Sequence, residues 1–120
     1  LFFLNHTTPS PILSGLVGSE MCIRDRPGSW DIVYKINSLS NEYDKFIAVG
    51  VICKGETDHY EYISTGVSNG LMNITINKDV YIGNCILNVH SIIDAEKRST
   101  RDKDSNKGVE SAIAINKLFN

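Results

Sequence analysis

The chain predicts an α/β fold, a parallel sheet covered on both faces by helices. Two apolar runs, Phe46–Cys53 and Val80–Leu87, are continuous rather than alternating, the mark of strands buried on both sides. Between them, residues 58–76 carry Ile63, Val67, Leu71 and Ile74 on one side at helical spacing. Strand, helix and strand at this length make a βαβ unit with a right-handed crossover.

The elements follow in order. Residues 1–26 are read as a non-native or disordered prefix, and 27–120 as one domain. The chain opens on Leu rather than Met, which implies an incomplete start. Leu1–Leu4 is apolar, but no basic stretch precedes it, and Asn5, His6, Pro9 and Pro11 interrupt it, so it is no signal peptide. Leu16–Arg26 looks like translated sequencing-adapter text. His6 and Cys22 take no role in this reading.

At Pro27-Gly28-Ser29-Trp30-Asp31-Ile32 a turn gives way to a helix. Ser29 can cap it, and Ile32, Ile36 and Leu39 mark its inner side. Trp30 is either a core residue or an aromatic plate for a flat ligand. Ser40–Lys45 is a polar connection to the first buried strand.

The stretch Gly50–Tyr62 organises the rest. Lys54 and Gly55 end the strand, and Thr57 or Asp58 caps the next helix, with Asp58 and Glu61 at N-cap and N3 spacing. A helix start leaves backbone N–H groups unpaired, here aimed above the strand, and phosphate is the usual occupant. His59 falls in that first turn, as a surface or packing residue or as a proton-transfer group. Gly66 and Gly70 lie near the apolar stripe, where small residues admit a close neighbour. Asn77-Lys78-Asp79 ends the helix.

After Leu87 the chain turns through Asn88–Ser91 into a short helix containing Ile92, Ile93 and Ala95. Residues 96–107 are densely charged and read as a solvated loop. The last helix starts near Asn106 and buries Val109, Ala112, Ile113 and Leu118.

Composition sets bounds. One domain fits 120 residues, and 42% hydrophobic with 22% charged residues suits a folded core. A net charge of −2 gives no reason to expect nucleic acid or a membrane surface, and no stretch is long enough to cross a bilayer. Cys53 and Cys85 sit in apolar runs as small hydrophobes, which fits a reducing cytoplasm. A metal site built from His59, His90 and a Cys has no supporting spacing.

Four blocks together are more specific than any one of them. They are Pro27–Ile32, Gly50–Tyr62 with its Lys-Gly-Glu-Thr-Asp-His-Tyr-Glu-Tyr core, Ile82-Gly83-Asn84-Cys85-Ile86-Leu87, and Asn106-Lys107-Gly108. Through them, residues 27–120 closely resemble the 6,7-dimethyl-8-ribityllumazine synthase family. The resemblance implies a flavodoxin-like, three-layer α/β/α sheet of parallel strands, incomplete at its N-terminus. A complete member has a strand, a helix and a strand before the position of Pro27, with an aromatic residue that stacks on substrate. Without them, the Phe46–Cys53 strand is left with an exposed apolar edge.

The resemblance also implies an activity, condensation of 5-amino-6-(D-ribitylamino)uracil with 3,4-dihydroxy-2-butanone 4-phosphate. It places the pyrimidine against Trp30, with Ser29 and Asp31 holding the ring or the ribityl chain, and along the backbone of Val51, Ile52 and Cys53. It assigns phosphate to Glu56 and Thr57, and catalysis to His59. Arg98 matches a phosphate-binding arginine from the neighbouring subunit. Asn84 matches a neighbouring-subunit position lining the pyrimidine pocket, and Lys107 a lysine near the substrate ring. In one isolated subunit Arg98 is then expected far from Glu56 and Thr57, with no partner of its own. The family implies a cytoplasmic homo-oligomer, a pentamer or multiples of it, with small-molecule substrates and no metal or organic cofactor. Two other readings are a non-catalytic α/β module binding a flavin-like or phosphorylated ligand, and a purely structural shell subunit.

Overall fold

Two parallel strands of nine residues each, Lys45–Cys53 and Tyr81–Val89, carry the fold. They pair without a break from Lys45↔Tyr81 to Cys53↔Val89. The computed structural model describes residues 2–4, 21–23, 28–102 and 104–120. In chain order the elements are β1 (Phe2–Leu4), β2 (Met21–Ile23), α1 (Ser29–Leu39), β3 (Lys45–Cys53), α2 (His59–Lys78), β4 (Tyr81–Val89), α3 (Ile92–Arg98) and α4 (Lys107–Phe119). The βαβ unit of β3, α2 and β4 is the one the sequence predicts.

The sheet order is β2-β1-β3-β4. The β3–β4 pair is parallel as expected, whereas β1 runs antiparallel to both β2 and β3, so the sheet is mixed. β1 pairs only with Lys45–Ile47, taking part of the edge that the sequence reading leaves open. Phe2–Leu4 thus enters the sheet from the stretch read as a prefix. Most of that stretch, and Pro27 with it, lies outside the described residues.

The main core lies on one face, between the sheet and α1 and α2. Ile32 and Ile36 of α1 and Val67, Leu71 and Ile74 of α2 close over Phe46, Ala48, Ile52 and Ile86. Each of these side chains larger than alanine contributes roughly 1.5–3 kcal/mol by leaving water. Two glycines set the approach of the helices. A Cβ at Gly66 would lie 2.8 Å from the Trp30 ring, and one at Gly70 would lie 2.7 Å from Val33 Cγ1. The sequence reading of these glycines as close-approach positions matches this geometry.

The opposite face is covered less. Ile47, Cys85 and Ile115 form a small second cluster with Tyr81 beside it. α4 lies chiefly against β4, so Val49 and Val51 remain 41% and 46% exposed and Cys53 is exposed too. The continuous apolar run therefore overstates burial: strand alternation turns these three to the side that α4 does not reach. Within α4 the buried positions are Ser111, Ala112 and Ile115, whereas Ile113 and Leu118 are exposed, contrary to expectation. Ile113 is one residue, and so about 100°, round the helix from Ala112. Ser111 is tolerated inside because its hydroxyl donates to the Asn84 carbonyl at 3.4 Å.

The helix starts also differ from the sequence reading. Gly28, in extended conformation, is the N-cap of α1, and Ser29 is its first helical residue. Asp58 precedes α2 but makes no side-chain cap; Thr57 Oγ1 instead accepts from the His59 N–H at 3.4 Å. Asn106 does cap α4, its Oδ1 accepting from the Gly108 and Val109 N–H groups. Among the described residues no helix is long and apolar enough to cross a membrane.

Candidate functional site

A cavity of about 300 Å³ opens where β3 ends and α2 begins. Val51, Ile52 and Cys53 form its strand wall, Gly55 and Thr57 its loop, and His59, Tyr60 and Ile63 its helix wall. Lys54 N donates to the Val89 carbonyl at 2.8 Å, which keeps the two strands paired up to the loop. Ser29 completes the lining from α1. It reaches the strand because position 50 is glycine: a Cβ there would lie 2.9 Å from Ser29 Oγ. Tyr60 packs on the main core and meets the His90 ring edge-on, with centroids 6.0 Å apart. The start of α2 favours an anion through its N–H groups and dipole. Its side chains do not, since Glu56, Asp58 and Glu61 outnumber Lys54 in that segment. An anion bound there needs a cation from elsewhere.

Cations gather at a second place, beside β4. Glu110 in the first turn of α4 takes Arg98 Nη2 on Oε1 at 2.7 Å and Lys107 Nζ on Oε2 at 2.8 Å. Those two contacts hold the Glu110 carboxyl below the usual carboxylate range. Asn84 lies on the same strand edge: its Oδ1 accepts from Ile86 N–H at 2.9 Å, and its carbonyl accepts from Ser111. Arg98, Lys107 and Glu110 all act on the neighbouring Cys85, whose thiol is pushed up chiefly by burial, with the Ser111 hydrogen bond opposing. Cys85 is thus an inert, buried thiol of the kind the sequence suggests, whereas Cys53, at the end of the strand wall, is exposed.

The structure therefore brings together Ser29, Val51, Ile52, Cys53, Thr57 and His59, and separately Arg98 and Lys107, which meet through Glu110; Asn84 is tied to α4 only through its carbonyl, which accepts from Ser111. Glu56 and Asp31 are exposed and line neither place. Trp30 faces a different cavity with Val33, Tyr34, Asn37, Gly66 and Ile74, its ring against Gly66. The expectation that Arg98 lacks a partner is corrected, since Glu110 pairs with it. The charged run is also more structured than a solvated loop: Asn106 Nδ2 donates to the Thr100 carbonyl at 2.6 Å, and Thr100 Oγ1 and Ser105 Oγ lie 3.2 Å apart. Sequence reasoning missed Tyr60, Ile63 and Glu110 as site neighbours. Tyr60 is signalled only by its place next to His59, and Ile63 reads as plain helix core. Among the described residues no three His, Cys, Asp or Glu side chains are grouped to hold a metal.

A cavity at the carboxyl end of a parallel strand, with a histidine in the first turn of the following helix, places the molecule among α/β proteins that bind small ligands at strand ends. A sequence model of the family described as 6,7-dimethyl-8-ribityllumazine synthase matches residues 13–120, a match that begins inside the stretch read as a prefix. Curated proteins of that name are similar over most of the chain. One from Leuconostoc mesenteroides is 35% identical over 110 residues, 90% of this chain and 70% of that protein. One from Christiangramia forsetii is 32% identical over 95 residues, 77% of this chain and 56% of that protein. One from Porphyromonas gingivalis is 26% identical over 125 residues, 95% of this chain and 77% of that protein. The chain thus spans between 56% and 77% of the length of these relatives. It belongs to the 6,7-dimethyl-8-ribityllumazine synthase family.

Proposed function

We propose that this chain is a lumazine synthase subunit. It condenses 5-amino-6-(D-ribitylamino)uracil with 3,4-dihydroxy-2-butanone 4-phosphate in the cytoplasm, as a pentamer or a multiple of one, without metal or organic cofactor, nucleic acid or membrane. The observation that carries the reading is the separation of two partial sites in one chain. The His59 cavity has an anion-favouring helix start and no arginine. The Arg98 and Lys107 pair, joined by Glu110, has the cations. Each supplies what the other lacks, so a complete site forms where two copies meet.

In that site the amine of one substrate attacks the ketone of the other, forming an imine with loss of water. Phosphate then leaves, and the ring closes with loss of a second water. His59 carries protons in these steps, since imidazole titrates nearest neutral pH. The backbone N–H groups of Glu56 and Thr57, with the start of α2, hold the phosphate, and Arg98 of the adjacent copy gives it a charge-assisted grip. Val51, Ile52 and Cys53 offer backbone and wall to the pyrimidine. Ser29, with Asn84 and Lys107 of the adjacent copy, completes its surroundings. Holding two reactants together supplies much of the rate. The test is turnover: the chain, mixed with both substrates, should release inorganic phosphate and the fluorescent lumazine in equal amounts. Binding of either substrate without product would instead favour a non-catalytic binding module.

A further inference from the structure

Glu110 belongs to no part of the site assigned so far, yet it touches two of its members. It reaches Arg98 at the end of α3 and Lys107 at the start of α4, one carboxylate oxygen to each. The side chains of Arg98 and Glu110 are 40% and 42% exposed, so the pair adds little to stability. Its effect lies elsewhere. Arg and Lys are long and lose considerable rotamer freedom when they grip a ligand. A shared carboxylate has already fixed both. It also keeps two like charges close together, which would otherwise drive each other apart. The scaffold beneath is firm, because Asn106 both caps α4 and ties back to Thr100. Glu110 takes one N–H from each cation, while guanidinium carries five and ammonium three. Donors therefore remain on both for a phosphate group without Glu110 being displaced.

Resting on the phosphate role proposed for Arg98, we propose that Glu110 is a positioning residue, which holds Arg98 and Lys107 in the arrangement that receives the substrate phosphate. Simple electrostatics gives the opposite expectation. Removing a negative charge beside two cations should tighten anion binding, whereas losing a positioning residue should weaken it.

The experiment titrates the full chain with inorganic phosphate by calorimetry, comparing the unaltered protein with Glu110→Gln and Arg98→Ala. Circular dichroism checks that each variant is folded. Glu110→Gln should weaken phosphate binding about tenfold, the order expected when rotamer-rich side chains must be ordered anew. The Arg98 Nε–H signal should sharpen toward free motion in the same variant. Binding that Arg98→Ala weakens, but Glu110→Gln tightens or leaves unchanged, would overturn the positioning role and leave the phosphate role standing. Absent saturable binding in the unaltered chain, or binding indifferent to Arg98→Ala, would overturn the phosphate role and this inference with it.

Discussion

At the scale of single residues, His59 and Glu110 have sharply different surroundings. His59 is exposed at the cavity wall, with its backbone N–H held by Thr57. His59→Ala should lower turnover by about a hundredfold, the usual worth of acid–base help, while phosphate affinity stays the same. Steady-state kinetics with a parallel phosphate titration separates the two effects, and an unchanged rate would remove His59 from the chemistry. Glu110 lies in a cationic setting. Its folded-state acid constant sits below the unfolded one, so its pairing is fully present above the unfolded value and is lost as pH falls through the folded value. Carboxyl NMR should find Glu110 titrating below the ordinary glutamate range, and moving back up in Lys107→Ala and Arg98→Ala variants. Titration at the ordinary carboxylate position in the unaltered chain would contradict the ion-paired geometry. His59 and Thr57 were legible because they lie two positions apart in one motif. The Arg98–Glu110 pair was not, because its members are 12 positions apart and meet only across a folded-back loop.

Elements follow the sequence closely where periodicity is strong and less well where one face is partly bare. The strand–helix–strand unit and the start of α4 were readable from apolar runs and from Asn106. The inner face of α4 was not, because Ser111 hides a buried position behind a polar letter and Ile113 advertises an exposed one. Trp30 shows the same limit in the site. Its place in the first block suggested the ligand cavity, but helix geometry turns it onto Gly66 of α2. The two glycines of α2 give a sharp test. Alanine is worth about 1 kcal/mol more than glycine in a helix. At Gly70 the new methyl meets Val33 Cγ1 at 2.7 Å, and a β-branched side chain has little freedom to yield. Gly70→Ala should therefore destabilise by roughly 1–3 kcal/mol. At Gly66 the obstacle is Trp30, which is 59% exposed and can swing outward. Gly66→Ala should be near neutral or stabilising. Urea unfolding of both variants checks the order, and a larger loss at Gly66 would refute this account of the α1–α2 contact.

At the scale of the whole molecule, one chain holds the His59 cavity, a separate ion-paired group at Arg98 and Lys107, and an apolar strand face that α4 leaves partly uncovered. Val49, Val51 and the thiol of Cys53 are exposed on that face. The sequence pointed to a shared site only through family resemblance, since no spacing relates Arg98 to His59. The central claim is that a working site joins the His59 cavity of one copy to the Arg98 group of the next. Mixing subunits tests it most directly. Arg98→Ala and His59→Ala chains, each impaired alone, are unfolded together, refolded into mixed oligomers and assayed for lumazine formation. Some interfaces then pair an intact Arg98 with an intact His59, and activity should rise well above the average of the two variants. Mixed oligomers that form yet show no more than that average would contradict the claim.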